Sequence, residues 1–281
     1  MNEGLPDDDS LAELFAALAL EAGAAIMGVF ATDPAARAKK DASPVCDADI
    51  FGEEIILNGL ARHVPHISVI AEELCESGKA PKLDGGAFIL VDALDGTKEF
   101  LQKRDSFTVN IALIRDRSPA VGVVYAPARG ELFFAGERAW SFLAAPGSQV
   151  PPRATWRALR ARPMPERDAI AVASRSHSDP ETAAFLARLP VKDVVSTGSS
   201  MKFCLVAAGE ADVYPRFGRT MEWDIAAGDA VLRRAGGIVV DPSGAPMLYG
   251  KEAEKFANGP FIAWGDPMAV SAYCGEPAAR R

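Results

Sequence analysis

An apolar run ends in two aspartates in the stretch AFILVDALDGT, which covers residues 87–97. Its first five residues are all apolar, and a continuous run of this length is typical of a β-strand with both faces buried. Asp92 and Asp95 follow the run and precede Gly96 and Thr97. Carboxylates at the end of a buried strand lose water, so they need positive charge nearby, which oxygen-bound divalent cations supply. The stretch therefore predicts an acidic site at the edge of a buried sheet.

A second acidic pair, Glu72 and Glu73, follows another predicted strand at residues 67–71. Gly96 lets the backbone approach a ligand closely, and the amides that follow it can hold a phosphate group. Carboxylates beside such a cradle favour metal-assisted phosphoryl chemistry with about two ions. Taken alone, each motif has an ordinary alternative, because Asp-Gly is a common turn and Glu-Glu is usually solvated surface. The spacing excludes an EF-hand loop and an aspartyl-phosphate phosphatase, since both need acids at alternate positions.

Composition limits the classes of protein that the chain can be. Its 281 residues are 49% hydrophobic and 24% charged, which indicates a globular protein with a substantial core. The formal net charge of -8 excludes a basic surface for nucleic acid or an anionic membrane. The acidic start argues against a secretory signal, and the acidic residues within residues 11–30 argue against a membrane span. Four scattered cysteines without a CxxC pair predict reduced thiols and a cytoplasmic location.

The chain is predicted to form one compact layered α/β unit in two halves, residues 1–160 and 161–281, with the boundary inside residues 145–167. Capping boxes at residues 10–13 and 178–181 mark two helix starts. The first half is predicted to hold a large, mainly antiparallel sheet and two helices, whereas strands and helices alternate in the second. The predicted strands span residues 67–71, 87–91, 108–114, 120–125, 131–134, 169–173, 193–195, 212–214, 238–240 and 261–264, and the main helices residues 10–30, 47–62, 199–208 and 223–234.

Three motifs together resemble the inositol monophosphatase superfamily: AEE at residues 71–73, DALDGT at 92–97 and WDIAAG at 223–228. Longer stretches such as DGTKEFLQKRDSFTVNIALI and TGSSMKFCLVAAGEADVYPRFG are similar to its bacterial 3′(2′),5′-bisphosphate nucleotidases. The similarity covers about residue 11 to residue 264. The residues Lys-Glu-Phe after DGT favour the nucleotidases over the inositol phosphatases. The resemblance implies an αβαβα sandwich of the sugar-phosphatase type.

The resemblance also implies a Mg²⁺ site with two ions, or three with a weaker one. It assigns the attacking water to Glu72 and Thr97, with Asp95 as a further catalytic residue. No covalent enzyme intermediate is implied. The implied metal ligands are Glu72, Asp92, the carbonyl of Leu94, Asp95 and Asp224, and the implied phosphate contacts are Leu94, Asp95, Gly96 and Thr97.

Other positions match the family's nucleotide contacts and its third-metal loop. The match implies Lys39 and Asp49 at the weaker metal, although a solvated surface loop explains that segment equally well. Cys46 stands where the family commonly has Thr, and Ala93 where it commonly has Pro. Basic residues at element ends also have a common alternative, namely solvated side chains. The implied substrate contacts are Ser174, His177, Ser199, Lys202, Arg216 and Asp224.

The activity implied is hydrolysis of the 3′-phosphate of adenosine 3′,5′-bisphosphate to AMP and phosphate, as in sulfur assimilation. The resemblance extends this to 3′-phosphoadenylyl sulfate and to inhibition by Li⁺. The partner would be a small nucleotide rather than a nucleic acid polymer, and the protein a monomer or homodimer. Its location would be cytoplasmic, or peripheral at the inner membrane by the resemblance alone. Two alternatives stay open: an inositol monophosphatase or other sugar phosphatase, and a non-catalytic phosphonucleotide sensor.

Overall fold

The computed structural model describes residues 6–32, 37–38, 44–174 and 179–275. The helices are α1 (Asp8–Phe30), α2 (Asp47–His63), α3 (Glu72–Glu76), α4 (Thr97–Leu101), α5 (Pro180–Leu186), α6 (Met201–Ala207), α7 (Glu222–Arg234) and α8 (Ala269–Tyr273). The strands are β1 (Arg37–Ala38), β2 (Pro44–Val45), β3 (Ser68–Ala71), β4 (Phe88–Asp95), β5 (Thr108–Arg115), β6 (Ser118–Ala126), β7 (Glu131–Ala135), β8 (Ala139–Leu143), β9 (Arg157–Ala158), β10 (Ala169–Ser174), β11 (Val191–Thr197), β12 (Val213–Arg216), β13 (Thr220–Met221), β14 (Ile238–Val240), β15 (Ala257–Asn258) and β16 (Phe261–Trp264).

The larger sheet has seven strands in the order β3-β4-β5-β6-β7-β8-β9. Its first pair is parallel and every other pair is antiparallel, which confirms the predicted mainly antiparallel sheet. Two of its strands, β8 and β9, were not predicted. β9 lies inside residues 145–167, which we expected to hold the boundary between the two halves. It is a strand because it pairs with β8.

The second sheet has five strands in the order β11-β10-β12-β16-β14, with parallel and antiparallel pairs. Helices α6 and α7 lie between the two sheets, and α1 with α2 covers the outer face of the larger one. Helices α5 and α8 pack on the outer face of the smaller sheet. These layers confirm the αβαβα sandwich, while the division of the chain at residue 160 stays a prediction.

Both predicted capping residues are wrong, by three residues in α1 and by one in α5. Helix α1 is capped by Asp7, whose carboxylate accepts hydrogen bonds from the Ser10 amide at 2.8 Å and the Ser10 hydroxyl at 3.0 Å. Helix α5 is capped by Asp179, whose carboxylate accepts from the Thr182 amide at 2.6 Å, and Pro180 is its first residue. Aspartate is a favoured capping residue because its negative charge suits a helix start.

Helix α1 is long and apolar enough to cross a membrane by length and composition, although we expected its acidic residues to prevent this. In the structure it is a core helix. Leu11, Phe15, Leu20 and Ile26 are fully buried, and α1 packs against α2 and β6. Packing against more than one neighbour is expected for a helix that is apolar on more than one side.

Helix α7 lies unusually close to its neighbours because the residues at the contacts are small. A Cβ atom added to Gly122 of β6 would lie 2.7 Å from the carbonyl oxygen of Ala227 in α7. A Cβ atom added to Gly228 would lie 2.5 Å from the ring of Phe203 in α6. The small residues of the WDIAAG motif therefore let α7 sit between the two sheets, with Asp224 in its first turn.

Candidate active site

Three carboxylates from three different elements meet at one point. Glu72 is the first residue of α3, Asp92 lies near the end of β4, and Asp224 lies in the first turn of α7. Each offers an oxygen, and these oxygens all lie within 4.8 Å of one another. Asp92 is only 3% exposed. Residues separated by up to about half the chain thus form one acidic cluster, in which Asp224 was expected from the resemblance alone.

Asp95, the fourth predicted ligand, lies beside this group but not within it. Its Oδ2 accepts hydrogen bonds from the hydroxyl of Ser200 at 3.2 Å and from Nδ2 of Asn110 at 3.5 Å. The Ser200 hydroxyl also lies 2.6 Å from the backbone oxygen of Asp224. Because a hydroxyl has one hydrogen, it donates to one of these two oxygens at a time. Ser200 therefore links Asp95 to the backbone of α7.

A bulge in β4 shapes the DALDGT segment. Asp92 pairs with Asn110 and Asp95 with Thr108, so β4 contains one extra residue between these pairs. A bulge of this kind redirects side chains and carbonyl groups away from the sheet. The Leu94 amide donates to Oδ1 of Asp92 at 3.0 Å, which holds the bulged turn.

Gly96 follows the bulge with a φ of 96°, in the left-handed region. A side chain is strained at this angle, and an added Cβ would also lie 3.4 Å from the Cα of Phe107. Glycine is therefore required for the turn that brings the Gly96 and Thr97 amides to the site.

Asp49 reaches the site through Thr97. The Thr97 hydroxyl donates to Oδ1 of Asp49 at 3.1 Å, and Oδ2 of Asp49 accepts from the Cys46 amide at 2.8 Å. Asp49 lies in the first turn of α2 and is 5% exposed, so the alternative of a solvated surface residue is wrong for this position. Since Thr97 gives its hydrogen to Asp49, its oxygen can accept a hydrogen bond from a water molecule. Lys39, the other predicted loop residue, lies outside the described residues.

Burial and mutual repulsion disfavour ionisation of the carboxylates. Burial raises the pKa of Asp92 well above its usual range, and the charges of Glu72 and Asp95 raise it further. Burial likewise raises the pKa of Asp224, with Asp95 adding to the effect. It raises the pKa of Asp95 to about 6, opposed by the nearby ammonium of Lys202. The charge of Arg216 opposes the increase at Asp224.

A cavity of about 280 Å³ is lined both by the acidic cluster and by three basic residues, which form its basic wall. The cluster contributes Glu72, Asp92 and Asp224, and the basic wall consists of Lys202, Arg216 and Arg219. Acidic and basic groups around one cavity suit a ligand that combines a metal-bound anionic group with a second anionic group.

Two basic residues of this wall were predicted from the sequence. Lys202 is 4% exposed, and its ammonium donates to the Ser199 carbonyl at 2.5 Å and lies 5.2 Å from the centre of the Tyr214 ring. Burial lowers the pKa of Lys202 to about 8. Arg216 lies at the end of β12, and its Nε is buried without a hydrogen-bond partner in the described part of the chain. The solvated alternative is therefore wrong for Lys202.

The other predicted substrate contacts are partly accounted for. Ser174 at the end of β10 and Ser199 in the turn before α6 both line the cavity. The Ser199 hydroxyl lies 3.0 Å from that of Thr108, and the residue has a positive φ of 47°. His177 lies outside the described residues, so its contact with a base stays a prediction.

The sequence model of the inositol monophosphatase family matches residues 7–266 of the chain. The chain belongs to the inositol monophosphatase family. This confirms the resemblance inferred from the three motifs. Members of this family are generally metal-dependent phosphatases, and the acidic cluster and the cavity of this family member agree with such a function.

Relatives and solved structures agree with this assignment. The 3′(2′),5′-bisphosphate nucleotidase CysQ of Escherichia coli (strain K12) is 43% identical over 244 residues, which make up 86% of this chain and 94% of that protein. The crystal structure of CysQ from Bacteroides thetaiotaomicron has a TM-score of 0.76 and 35% identity, covering 91% of this chain and 97% of that one. An IMPase from Thermotoga maritima has a TM-score of 0.74 at 23% identity, covering 94% and 95%, and shows the shared fold.

The residues of this inositol monophosphatase family member fit a hard divalent cation. The cluster offers only carboxylate oxygens, and Leu94 and Asp95 line the same cavity. Among the described residues no cysteine or histidine lines the cavity, and oxygen ligands alone suit Mg²⁺ rather than a transition metal. Three carboxylate oxygens so close together repel one another unless a cation lies between them.

Several site residues of this family member were not predicted individually. Among them, Ser200 and Asn110 donate hydrogen bonds to Asp95, and their signal was the TGSS and FTVN stretches, which indicated only the resemblance. Glu99 and Arg219 line the cavity. Nothing in the local sequence sets Arg219 apart from other surface arginines, so only the fold could place it there.

Proposed function

We propose that the protein hydrolyses the 3′-phosphate of adenosine 3′,5′-bisphosphate to AMP and phosphate in the presence of Mg²⁺. The observation that carries this proposal is that one cavity is lined both by the acidic cluster and by Lys202 and Arg216. A sugar monophosphate needs only the acidic cluster with its metal, whereas a bisphosphate also uses the basic residues. The names of the 43% and 35% identical relatives support the same substrate class.

Mg²⁺ would be held by Glu72, Asp92, Asp95, Asp224 and the Leu94 carbonyl. When bound, the metal lowers the pKa of an attacking water and neutralises charge on the phosphate. The elevated pKa of Asp92 and Asp224 supports this assignment, because a bound cation would offset the burial and the mutual repulsion that raise it.

The attacking water would be oriented by Thr97 and Glu72. Since the Thr97 hydroxyl donates to Asp49, its oxygen can accept a hydrogen bond from this water and fix its direction. Glu72 lies in the same cavity and would accept the proton that the water loses on attack. The Gly96 and Thr97 amides would hold the phosphate that is cleaved.

The phosphate that does not react would bind at the basic wall. The Arg216 Nε is buried without a partner in the described residues, and a phosphate oxygen would supply one. Lys202 adds a buried positive charge next to it, and Ser174 and Ser199 would complete the contacts to the nucleoside. The 3′-phosphoadenylyl sulfate analogue carries a similarly placed anionic group and is a second proposed substrate.

Phosphate release from a small substrate panel tests the proposal. We expect the highest kcat/KM for adenosine 3′,5′-bisphosphate, less for inositol 1-phosphate, and loss of activity with EDTA that Mg²⁺ restores. Asp95→Asn should abolish turnover while the circular dichroism spectrum stays unchanged. A clear preference for inositol 1-phosphate would instead indicate a sugar phosphatase. Nucleotide binding without phosphate release would indicate a sensor.

A further inference from the structure

Glu99 lines the active-site cavity, and the reaction described above gives it no role. It belongs to the Lys-Glu-Phe stretch that follows DGT, and it is the third residue of α4. Its side chain is 5% exposed, whereas the neighbouring Lys98 is exposed. A buried carboxylate in a cavity for anionic ligands therefore needs an explanation.

The side chain of Glu99 lies near two glycines that also line the cavity, Gly96 and Gly198. Its Oε2 lies 3.4 Å from the position that a Cβ atom on Gly96 would take, next to the predicted phosphate cradle. Its Cγ lies 3.0 Å from the corresponding position on Gly198, in the turn that precedes Ser199. The side chain thus lies next to both groups, with Oε2 near the glycine that would help hold the scissile phosphate and Cγ near the turn that would contact the sugar.

A carboxylate at this point repels a phosphate unless it accepts a hydrogen bond from the ligand or a cation neutralises it. Lys202 provides part of the compensation, since Glu99 and Asp95 both lie close enough to favour its charged form. A carboxylate has about four acceptor positions, so interactions within the protein leave capacity for a ligand hydroxyl. The ligand group next to a scissile 3′-phosphate ester is the hydroxyl on the neighbouring ring carbon, the 2′-hydroxyl of a ribonucleotide.

We propose that Glu99 accepts a hydrogen bond from the hydroxyl next to the scissile phosphate ester and so selects ribonucleotides over 2′-deoxyribonucleotides. This inference rests on the proposed function and names a specificity determinant of the same site. It assigns the Lys-Glu-Phe stretch a chemical role, because the glutamate is the member of that stretch whose side chain lies next to both the phosphate cradle and the sugar turn.

The test compares kcat/KM for adenosine 3′,5′-bisphosphate and for its 2′-deoxy analogue. We expect the wild-type protein to prefer the ribonucleotide by about tenfold or more, as for a hydrogen bond to a charged group. Glu99→Ala should lower kcat/KM for the ribonucleotide by about 10- to 100-fold and leave the deoxy substrate within about threefold, which removes the preference. Glu99→Gln should keep a reduced preference, because its amide oxygen still accepts a hydrogen bond without charge, and it serves if the alanine variant does not fold.

Lys98→Ala is the matched control, since Lys98 directly precedes Glu99 in α4 and lines the same cavity. It should change kcat/KM for the two nucleotides by the same factor. An equal loss on both nucleotides in Glu99→Ala and Glu99→Gln would overturn the inference and indicate a purely structural role. A wild-type protein that hydrolyses both nucleotides equally well would also overturn it. Hydrolysis of neither nucleotide, with turnover of inositol 1-phosphate, would refute the proposed function and this inference with it.

Discussion

The hydrogen bond from Thr97 to Asp49 predicts a catalytic role that can be tested by removing one hydroxyl. Thr97→Val keeps the shape of the side chain but cannot orient a water molecule. We expect kcat to fall by about 100-fold with little change in KM, as for the loss of a group that positions a reacting proton. Thr97→Ser keeps the hydroxyl and is the control, with kcat within about fivefold of wild type. A Thr97→Val enzyme with normal kcat would show that Thr97 does not orient the water.

Lys202 predicts a pH dependence of substrate binding. Burial lowers its pKa to about 8, so the side chain is an ammonium below this pH and a neutral amine above it. The positive charge that would bind the second phosphate is therefore lost as the pH rises. We expect KM for adenosine 3′,5′-bisphosphate to rise by about tenfold between pH 7 and pH 9. Adenosine 3′-monophosphate lacks that phosphate and should show no such rise, and Lys202→Met should remove it for the bisphosphate. A rise that persists in Lys202→Met would assign it to another group.

At the scale of elements, the close packing of α7 predicts which glycines matter. A Cβ on Gly122 would lie 2.7 Å from a backbone oxygen of α7, so Gly122→Ala must displace the helix that carries Asp224. We expect a loss of about 1–3 kcal/mol in the free energy of unfolding in urea, together with reduced kcat. Gly28→Ala in α1 is the matched control, because nothing lies within 4 Å of its added Cβ. It should stabilise the protein by about 0.5–1 kcal/mol. Unchanged stability in Gly122→Ala would show that α7 is not held at this contact.

Apolar runs were sufficient to predict most of these elements but not their ends or irregularities. The run at residues 87–91 predicted β4, whereas the bulge between Asp92 and Asp95 depends on the register with β5. The two-residue strand β9 carries no apolar pattern, since both of its residues are exposed, and only its pairing with β8 defines it. Both helix caps were assigned to a serine, whereas the capping carboxylates belong to Asp7 and Asp179.

At the scale of the whole molecule, the sequence predicted those active-site residues that belong to a motif typical of metal or phosphate binding. Glu72, Asp92 and Asp224 follow strands or begin helices within recognisable motifs, and the structure brings them together. The contact between Thr97 and Asp49 could not be read from spacing, because it joins residues 48 positions apart that belong to different motifs. The position of Glu99 in the cavity could not be predicted either, because it depends on how closely the turn containing Gly198 approaches α4.

The acidic cluster also makes the stability of the metal-free protein depend on pH. Because burial raises the pKa of Asp92, Asp95 and Asp224, the folded state binds more protons than the unfolded state above about pH 4. The free energy of unfolding therefore falls as the pH rises through these elevated values, for Asp95 between about pH 4 and about pH 6. Glu53, whose pKa burial raises to about 7, contributes with the same sign. We expect the protein in EDTA to be more stable towards urea at pH 5 than at pH 7.5.

Mg²⁺ should reverse this loss of stability if the cluster is a cation site. At about 100 times its Kd, Mg²⁺ should raise the free energy of unfolding at pH 7.5 by about 2.7 kcal/mol, and by less at pH 5 because protons compete for the same oxygens. The variant Asp92→Asn distinguishes the contribution of the acidic cluster to stability from that of Glu53. It removes a buried charge, so it should be more stable than wild type in EDTA at pH 7.5 and should gain little from Mg²⁺. Urea unfolding of both proteins with and without Mg²⁺ measures these differences. An equal response of wild type and Asp92→Asn to Mg²⁺ would place the stabilising ion elsewhere, because a site that includes Asp92 cannot lose a ligand charge without losing affinity.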